Sequence, residues 1–517
     1  MKRLFALLLI SLLIWPGAGC DERFLERPNI NNINESTFFK NVGQLSQAVN
    51  GVYAGLQRTG LFNLTYQYVH TFNADEVEPT HNTVQYGPDE VRLLNWNFFP
   101  TYGKFSDYWT DNYTVIARAN LVISKADGIT PADDAEAGRL ARLVAEARFL
   151  RAFAYFNIAT DFGQGPLRLR LTDAVELPGV PAADLYAQVE NDLLAAGRDL
   201  RKRSELPAGE RSRVSLGAAQ ALLGKLYLYQ RKWAQAALAL KAVIDSGEYA
   251  LVPAYGDNFT EAGENNRESL FEVQFASGLY DTGASWAPDA TTGWGGNTET
   301  QLFTGNLGPD SHGNYNAKPS RKLIGAFEPG DPRRDAIVFG PTTPYFLLPM
   351  RGSRPEPDYD PGHTFRRVFD RVGYCIHKWN NADLTRVNND ESNGTNGGLN
   401  MRVIRLADVY LMYAETQLEL GHLAEAADWI NRVRRRADPS GRILPDVAAS
   451  SAAAVRAALI HERQIELAFE WSRRRDIIRW GLGPSEFDGF KVGKHEVFPI
   501  PQHELDANRR MRQNANY

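Results

Sequence analysis

The chain has 517 residues, of which 57 are lysine or arginine and 62 are aspartate or glutamate, so its net charge is −5 at pH 7. This acidic balance argues against a nucleic-acid partner, because binding to phosphates relies on an excess of basic side chains. Hydrophobic residues make up 43% of the chain, which is enough for a large packed core, and two cysteines are too few for a disulfide framework.

The first twenty residues have the pattern of a bacterial lipoprotein signal. Lys2 and Arg3 precede an apolar run at 4–15, and the small residues of "PGAGC" end at Cys20. The run is too short to span a bilayer comfortably, and small residues before a cut are typical of an export signal. We therefore predict a signal peptide at 1–19, lipidation of Cys20 and a soluble but membrane-tethered mature chain. A plain signal cut near the same place is the alternative.

Helical periodicity alternates with Gly-, Pro- and Asn-rich stretches along the rest of the chain. The predicted helical blocks are 41–58, 104–125, 135–161, 182–202, 215–246, 402–437, 450–473 and 474–480. Irregular blocks lie between them, at 60–103, 253–400 and 481–517, with a strand-like run at 269–275. No low-complexity linker divides the chain. The simplest description is a mostly α scaffold that carries a long loop-rich, minor-β excursion.

Two helical blocks that are far apart in the chain share the same spacing of small residues. Gly224 and Ala236 lie twelve residues apart in one block, and Ala414 and Ala426 have the same spacing in the other. Small residues at these positions let paired antiparallel helices approach closely, which is the tetratricopeptide pattern. The helix at 139–159 is a further candidate element. A helical-repeat core is therefore expected.

We find no constellation of residues that predicts an active site. The "HERQI" stretch at 461–465 lacks the second histidine of a zinc-binding HExxH helix. Within the same region, Arg463 with Glu466 and Glu470 with Arg474 have the spacing of helical salt bridges. A structural role is therefore preferred for this motif, and no metal or cofactor is predicted from it.

Oxygen-rich stretches elsewhere are also weak as sites. The 388–398 segment resembles a calcium loop, but its twelfth position is Asn400, where a bidentate glutamate belongs. The "GDPRRD" stretch at 330–335 also supplies oxygen ligands in a Gly-containing setting. For the calcium-like segment a solvated loop is favoured. Asp75 and Glu76 could act in a glycosidase only with a second acid across about 5–10 Å, which the sequence does not show.

Two irregular segments have the composition of a sugar-binding surface. Binding a sugar needs flat aromatic faces for the ring C–H surface, and amides and carboxylates for the hydroxyl groups. Segments 66–99 and 280–315 combine these residue types. The second contains Trp286 and Trp294 in a stretch with no helical or strand period to bury them. Trp294, which is flanked by glycines, is the stronger candidate of the two.

From Cys20 to Tyr517 the chain resembles the SusD/RagB proteins, nutrient-binding outer-membrane lipoproteins of the Bacteroidetes. The C-terminal half carries "RVIRLADVYLMYAETQLELG", "INRVRRRA", "HERQIELAFEWSRRRDIIRWG" and "VFPIPQHELDAN". The N-terminal half carries "CDERFLERPN" and "AEARFLRAFAYFNIATDFGQGPL". The blocks occur in the family's order and cover the whole mature chain. The resemblance also marks the arginine-rich "SRRRDIIRW" as structural and not phosphate-binding.

The resemblance implies a single SusD-like domain over 20–517, with an N-terminal part of about 20–250 and a C-terminal part of about 251–517. It also implies a lipid-anchored outer-membrane protein, facing the cell exterior, that binds its ligand and does not cleave it. The partner would be a SusC-type TonB-dependent transporter, which receives the captured oligo- or polysaccharide.

The family places its ligand-binding residues in loops that match the two aromatic segments. Combined with the composition of those segments, this predicts a site made of Asn73, Asp75, Tyr86, Trp96, Asn97, Trp286, Trp294, Asn297 and Tyr315. For Trp96, packing in the core is the alternative to ligand contact.

Three other functions remain open at this point. A RagB-type protein with the same architecture would bind peptides, although exposed tryptophans favour sugars. A hydrolase on a helical-repeat scaffold would need a catalytic motif, and we find none. A scaffold protein would use the helical surface to bind only other proteins.

Overall fold

The computed structural model describes residues 38–79, 88–275, 317–339, 374–379 and 399–517. Within these ranges the fold is mostly helical, and its strands occur as short two-stranded ladders. No helix in the described ranges is both long enough and apolar enough to cross a membrane. The predicted mostly α fold class is confirmed.

The helices of the described chain, in order, are α1 Val42–Leu56, α2 Thr65–Thr71, α3 Pro88–Leu94, α4 Gly103–Ala126, α5 Asp134–Phe162, α6 Ala182–Asp199, α7 Leu216–Tyr229, α8 Trp233–Asp245, α9 Arg321–Ala326, α10 Arg334–Ile337, α11 Leu406–Glu419, α12 Leu423–Ala437, α13 Ala452–Glu466, α14 Arg473–Arg479, α15 Gly483–Glu486 and α16 Gln502–Ala507. A π-helical turn spans Thr59–Asn63, and short 3-10 turns lie at Arg203–Glu205, Ala208–Glu210 and Tyr255–Phe259.

Eight strands pair into four antiparallel ladders within the described residues. They are β1 Val77–Pro79 with β5 Ala317–Pro319, β2 Gln164–Pro166 with β3 Gly179–Pro181, β4 Ser269–Val273 with β8 Met401–Arg405, and β6 Val338–Phe339 with β7 Cys375–Ile376. The strand-like run predicted at 269–275 is confirmed as β4.

Local signals account for the helix ends. The longest helix, α5, begins after Asp133, whose side chain accepts a hydrogen bond from the Glu136 backbone N–H at 2.8 Å. Such a cap satisfies one of the free N–H groups of the first turn. The helix ends at Gly163, which has φ of 73°, a left-handed conformation that glycine adopts without a Cβ clash.

The predicted helical blocks are confirmed, with two exceptions in the C-terminal half. Residues 402–405 were expected in a helix, but they form β8 because they pair with β4. Residues 467–472 were expected inside a continuous helix, but α13 stops at Glu466 and a turn follows. In this turn Phe469 has φ of 58° and Trp471 has φ of 59°, which a helix cannot contain.

The predicted helix pairs are α7 with α8 and α11 with α12, and the small residues lie at their contacts. A Cβ at Gly224 would lie 2.6 Å from Leu240 Cγ on the facing helix. Ala236, Ala414 and Ala426 are completely buried. The two pairs also contact each other, because α8 packs against α11 although about 160 residues separate them in the chain.

The remaining helices extend this stack on both sides. Helix α1 packs against α4 and α5, α5 packs against α6, and α6 packs against α7. Helix α13 covers both α11 and α12. The buried apolar side chains form one cluster that reaches from Val42 to Met511. The division of the chain into an N-terminal part and a C-terminal part remains a prediction.

We expect Gly224→Ala to destabilise the protein by about 1–3 kcal/mol, because the new methyl group would overlap Leu240. The matched control is Gly51→Ala on α1, where a Cβ meets no atom within 4 Å. The control should raise the free energy of unfolding by up to about 1 kcal/mol through helix propensity alone. Urea unfolding of both variants measures the difference, and equal effects would show that the close helix contact is unimportant.

Candidate functional site

The β1–β5 ladder joins the two segments that were predicted to bind ligand. Strand β1 lies within segment 66–99, and β5 begins directly after segment 280–315. Pro79 at the end of β1 pairs with Ala317 at the start of β5. The chain therefore enters residues 80–87 and returns from residues 276–316 at the same end of one ladder.

Ser320 reinforces this junction from the β5 side. Its hydroxyl donates a hydrogen bond to the Asp75 carbonyl at 2.6 Å, and its backbone N–H donates to the Glu76 carbonyl at 2.8 Å. The same hydroxyl accepts from the Leu323 N–H at 3.0 Å and so caps α9. The junction between the two segments is therefore held by side-chain and backbone bonds beyond the three ladder pairs.

Asp75, a predicted site residue, is engaged in a buried ion pair. Its two carboxylate oxygens accept from Arg473 Nε at 2.8 Å and Nη2 at 2.9 Å, and Lys322 Nζ lies 2.9 Å away. Burial alone would raise the pKa of Asp75, but Arg473 and Lys322 outweigh it and hold that pKa below its ordinary value. Asp75 therefore orders the base of β1, where its carboxylate is only 4% exposed.

Glu76, the next residue, is buried without a cation on its carboxylate. Its Oε1 accepts from the Phe469 backbone N–H at 3.0 Å, and its Oε2 has no hydrogen-bond partner in the described structure. Burial, reinforced by the neighbouring Asp75 charge, raises the pKa of Glu76 to about 8. The side chain is therefore neutral at pH 7 and is 1% exposed, so the structure does not present this carboxyl to a sugar.

Asn73, also a predicted site residue, is completely buried. Its amide donates to the Val69 carbonyl at 2.8 Å, one turn back in α2. Its Oδ1 lacks a hydrogen-bond partner within the described residues. A contact between Asn73 and a ligand stays a prediction.

Trp96 lies in an aromatic cluster and is 3% exposed. Its ring centroid is 4.6 Å from that of Phe487, 5.0 Å from Phe490, 5.2 Å from Phe98 and 5.7 Å from His495. The structure thus shows the core position that the sequence left as the alternative. A sugar could stack on Trp96 only if this packing opened, so a role in binding stays a prediction.

Asn97 is exposed, in contrast to the other predicted site residues in the described chain. Its backbone N–H donates to the Arg92 carbonyl at 2.9 Å, which closes the turn after α3. Because the residue is exposed, its amide side chain is available to hydroxyl groups at the surface, next to the buried Trp96.

The other predicted site residues lie outside the described residues and stay predictions. They are Tyr86, Trp286, Trp294, Asn297 and Tyr315, together with the lipidation site Cys20. The calcium-like segment 388–398 also lies outside, but its twelfth position is described. Asn400 is buried, its Oδ1 accepts from the Phe275 N–H at 2.7 Å, and its amide donates to Glu272 and Gln274.

The arginine-rich motif and the residues before it form buried ion pairs. The local pairs predicted from helical spacing are wrong, because each member has a partner far away in the chain. Arg463 binds Asp476 and Asp408, and Glu466 binds Arg333, Arg405 and Arg436. Glu470 binds Lys378 and Arg405, and Arg474 lies 3.5 Å from Asp161. A structural role for the motif is consistent with this burial.

Residues of the other two candidate motifs also have partners within the fold. In "GDPRRD", Asp331 is buried against Arg333, with Oδ2 2.8 Å from Nη2. His461 of "HERQI" has its Nε2 2.8 Å from the Ala326 carbonyl. Among the described residues, no group of three or more His, Cys, Asp or Glu side chains could hold a metal ion.

Sequence reasoning missed the turn at 467–472, which contacts Glu76, Trp379 and Arg405 at or near three different strands. Its signal was faint, since "ELAFEWS" contains neither glycine nor proline and fits a helical pattern. The two left-handed residues in it appear only in the folded structure.

The chain matches two family models and several known proteins. The family model described as SusD family matches residues 260–497, and the one described as "Starch-binding associating with outer membrane" matches residues 23–228. SusD-like protein P25 of Formosa agariphila is 27% identical over 519 residues, covering 96% of this chain and 95% of that protein. The starch-binding protein SusD of Bacteroides thetaiotaomicron is 24% identical, with coverage of 87% and 86%.

Solved structures share the fold. A laminarin binding SusD-like protein superposes with a TM-score of 0.75 at 27% identity, covering 92% of this chain and 100% of that one. Surface glycan-binding protein A from Bacteroides thetaiotaomicron, solved in complex with laminarihexaose, has a TM-score of 0.73 at 22% identity, with coverage of 92% and 99%. The two family models together span both halves of the described helical stack, and the chain belongs to the SusD/RagB family.

Proposed function

We propose that this protein binds an oligo- or polysaccharide at the outer membrane and delivers it to a SusC-type TonB-dependent transporter. The observation that carries the proposal is the β1–β5 ladder, which pairs a strand inside segment 66–99 with the strand that follows segment 280–315. Residues from two distant parts of the chain can then contribute to one binding surface.

The chemistry of the segments supports a carbohydrate ligand. Trp286, Trp294 and Tyr315 offer aromatic faces, and Asn97 and Asn297 offer amides for hydroxyl groups. Relatives of the same architecture are named for binding starch and laminarin. These names favour a glycan over a peptide for this chain as well.

Binding without cleavage fits the carboxylates near this surface. Hydrolysis of a glycosidic bond needs two carboxyl groups that face the substrate. Asp75 is instead bound by Arg473 and Lys322, and Glu76 is buried and neutral. The pair therefore supports the structure at the base of β1 in this proposal.

The location and the partner form the second half of the proposal. Lipidation at Cys20 would anchor the protein to the outer membrane, facing outwards, and one of the matching family models is described as associating with that membrane. Co-purification with the TonB-dependent transporter encoded by a neighbouring gene tests the partnership. Labelling of whole cells with a membrane-impermeant reagent tests the orientation.

Calorimetric titration with laminarin, soluble starch and a peptide mixture tests the ligand class. We expect one glycan to bind, and Trp294→Ala to weaken its binding by about tenfold or more, equivalent to about 1.4 kcal/mol. Loss of a central aromatic platform has an effect of this size because its contact area is large and rigid.

The control is Trp233→Ala, which removes a half-buried tryptophan at the start of α8, where the neighbouring helices are α7 and α11. Its dissociation constant for the glycan should match that of the unaltered protein. Binding of peptides alone would favour the RagB-type alternative. Binding of neither ligand class would refute the proposed function.

A further inference from the structure

The turn between α13 and α14, residues 467–472, holds two bulky residues in a left-handed conformation. Phe469 has φ of 58° and Trp471 has φ of 59°, where a side chain other than glycine is strained. Such conformations persist only where the surrounding contacts impose them. We call residues 467–472 the connector turn and ask which contacts hold it.

The first set of contacts leads to the β1–β5 ladder. The Phe469 backbone N–H donates to Glu76 at 3.0 Å, one residue before β1 begins. Arg473, directly after the turn, binds both carboxylate oxygens of Asp75. The connector turn and Arg473 are therefore bonded to the two residues that precede β1.

The second set of contacts leads to residues 374–379, which contain β7 and are called the β7 region. The indole N–H of Trp379 donates to the Phe469 carbonyl at 2.7 Å. The Trp379 ring stacks on Trp471, with centroids 4.9 Å apart and planes 17° from parallel. Lys378 Nζ donates to the Ala468 carbonyl at 2.7 Å. The backbone of one residue, Phe469, thus bonds through its N–H to Glu76 beside β1 and through its carbonyl to Trp379 in the β7 region.

The third set leads to the β4–β8 ladder. Arg405, the last residue of β8, donates to the Glu470 carboxylate through Nε and Nη2, each at 2.7 Å. Arg405 also binds Glu268, which directly precedes β4. The far end of this ladder pairs Val273 with Met401, where the chain leaves and re-enters the described residues. The connector turn thus contacts three regions of the described chain: the residues just before β1, the β7 region and the β4–β8 ladder.

We propose that the connector turn sets the relative positions of these three regions, and that Trp379 is a positioning residue for glycan binding. The indole N–H of Trp379 bonds to the carbonyl of Phe469, the residue whose N–H bonds to Glu76 beside β1. These bonds hold Phe469 and Trp471 in their strained left-handed conformation. Loss of one bond therefore lets the turn relax and the three regions shift relative to one another. This inference rests on the proposed glycan-binding function.

The test compares Trp379→Phe with Trp109→Phe. Trp379→Phe keeps an aromatic ring against Trp471 but removes the N–H donor. Trp109 is also buried in the core, and its N–H donates to Glu504 at 3.2 Å, far from the connector turn in sequence and on a different helix, α4. Each variant therefore loses one indole hydrogen bond of a buried tryptophan, and each should fold.

We expect Trp379→Phe to weaken binding of the glycan selected in the calorimetric panel, laminarin or soluble starch, at least threefold. Trp109→Phe should bind as the unaltered protein does, with a comparable fall in melting temperature. Hydrogen exchange adds a second readout, since the glycan should slow amide exchange within 467–472 in the unaltered protein and less so in Trp379→Phe.

Unchanged affinity of Trp379→Phe for a glycan that the unaltered protein binds would overturn the positioning role while leaving the proposed function intact. Equal weakening in both variants would also overturn it, because a general loss of stability would then explain the effect. Failure of the unaltered protein to bind any glycan would instead count against the proposed function.

Discussion

Arg405→Ala is expected to lower the free energy of unfolding by about 3–5 kcal/mol, since it breaks a buried ionic network. The guanidinium is 1% exposed and donates to Glu268, Glu466 and Glu470 at 2.6–2.8 Å. Its removal leaves three buried carboxylates with fewer cations in a low-dielectric interior. Arg333, Arg436 and Lys378 still contact these carboxylates, which should keep the loss within this range.

Urea unfolding followed by tryptophan fluorescence measures this effect through the midpoint at an unchanged slope. Arg435→Ala is the matched control, because Arg435 also binds carboxylates, with Nε 3.0 Å from Asp446, but is 48% exposed. Exposed pairs contribute less than about 1 kcal/mol. If both variants lost the same stability, burial of the network would not be the reason for its effect.

Glu76→Gln is expected to stabilise the protein, with a benefit that grows between pH 4.5 and pH 8. The ordinary pKa of glutamate is 4.5, and burial raises that of Glu76 to about 8 in the folded protein. Between these values the unfolded chain releases the proton while the folded protein keeps it, so the native state loses about 1.4 kcal/mol per pH unit relative to the unfolded state. Below pH 4.5 both states are protonated and the penalty vanishes.

The glutamine variant does not titrate, so the difference in free energy of unfolding between the two proteins should rise to several kcal/mol by pH 8. Urea unfolding at pH 5, 6.5 and 8 measures it. Asp75→Asn should act in the opposite direction. Arg473 and Lys322 lower the pKa of Asp75, so its charge stabilises the folded protein at pH values above the pKa that Asp75 has in the unfolded chain. A pH-independent difference for Glu76→Gln would contradict the assignment of a neutral buried carboxyl.

Local sequence patterns predicted the helices well because an amphipathic helix depends on residues three and four positions apart. The α5 helix, its Asp133 cap and its Gly163 end are all encoded within a short stretch. The turn at 467–472 could not be predicted in this way, because its left-handed residues are held by contacts with Glu76 and Trp379, which are far away in the chain.

The candidate site shows the same division. Composition identified segments 66–99 and 280–315, but it could not distinguish a tryptophan that faces solvent from one that is covered. Trp96 is covered by Phe487 and Phe490, which come from almost 400 residues further along the chain. The helical spacing of Arg463 and Glu466 likewise suggested a local pair, whereas each side chain has its partners on other elements.

The sequence by itself determined the helical-repeat class, the close approach at Gly224 and the family resemblance, since each depends on local spacing or on ordered motifs. The tertiary structure alone decided that α8 packs on α11, that β1 pairs with β5 and that Arg405 and Glu466 meet in a buried ion pair. The physical reason is that burial and ion pairing depend on which surfaces meet after folding. Spacing along the chain specifies a helix face, but its partner is chosen by the packing of the whole molecule.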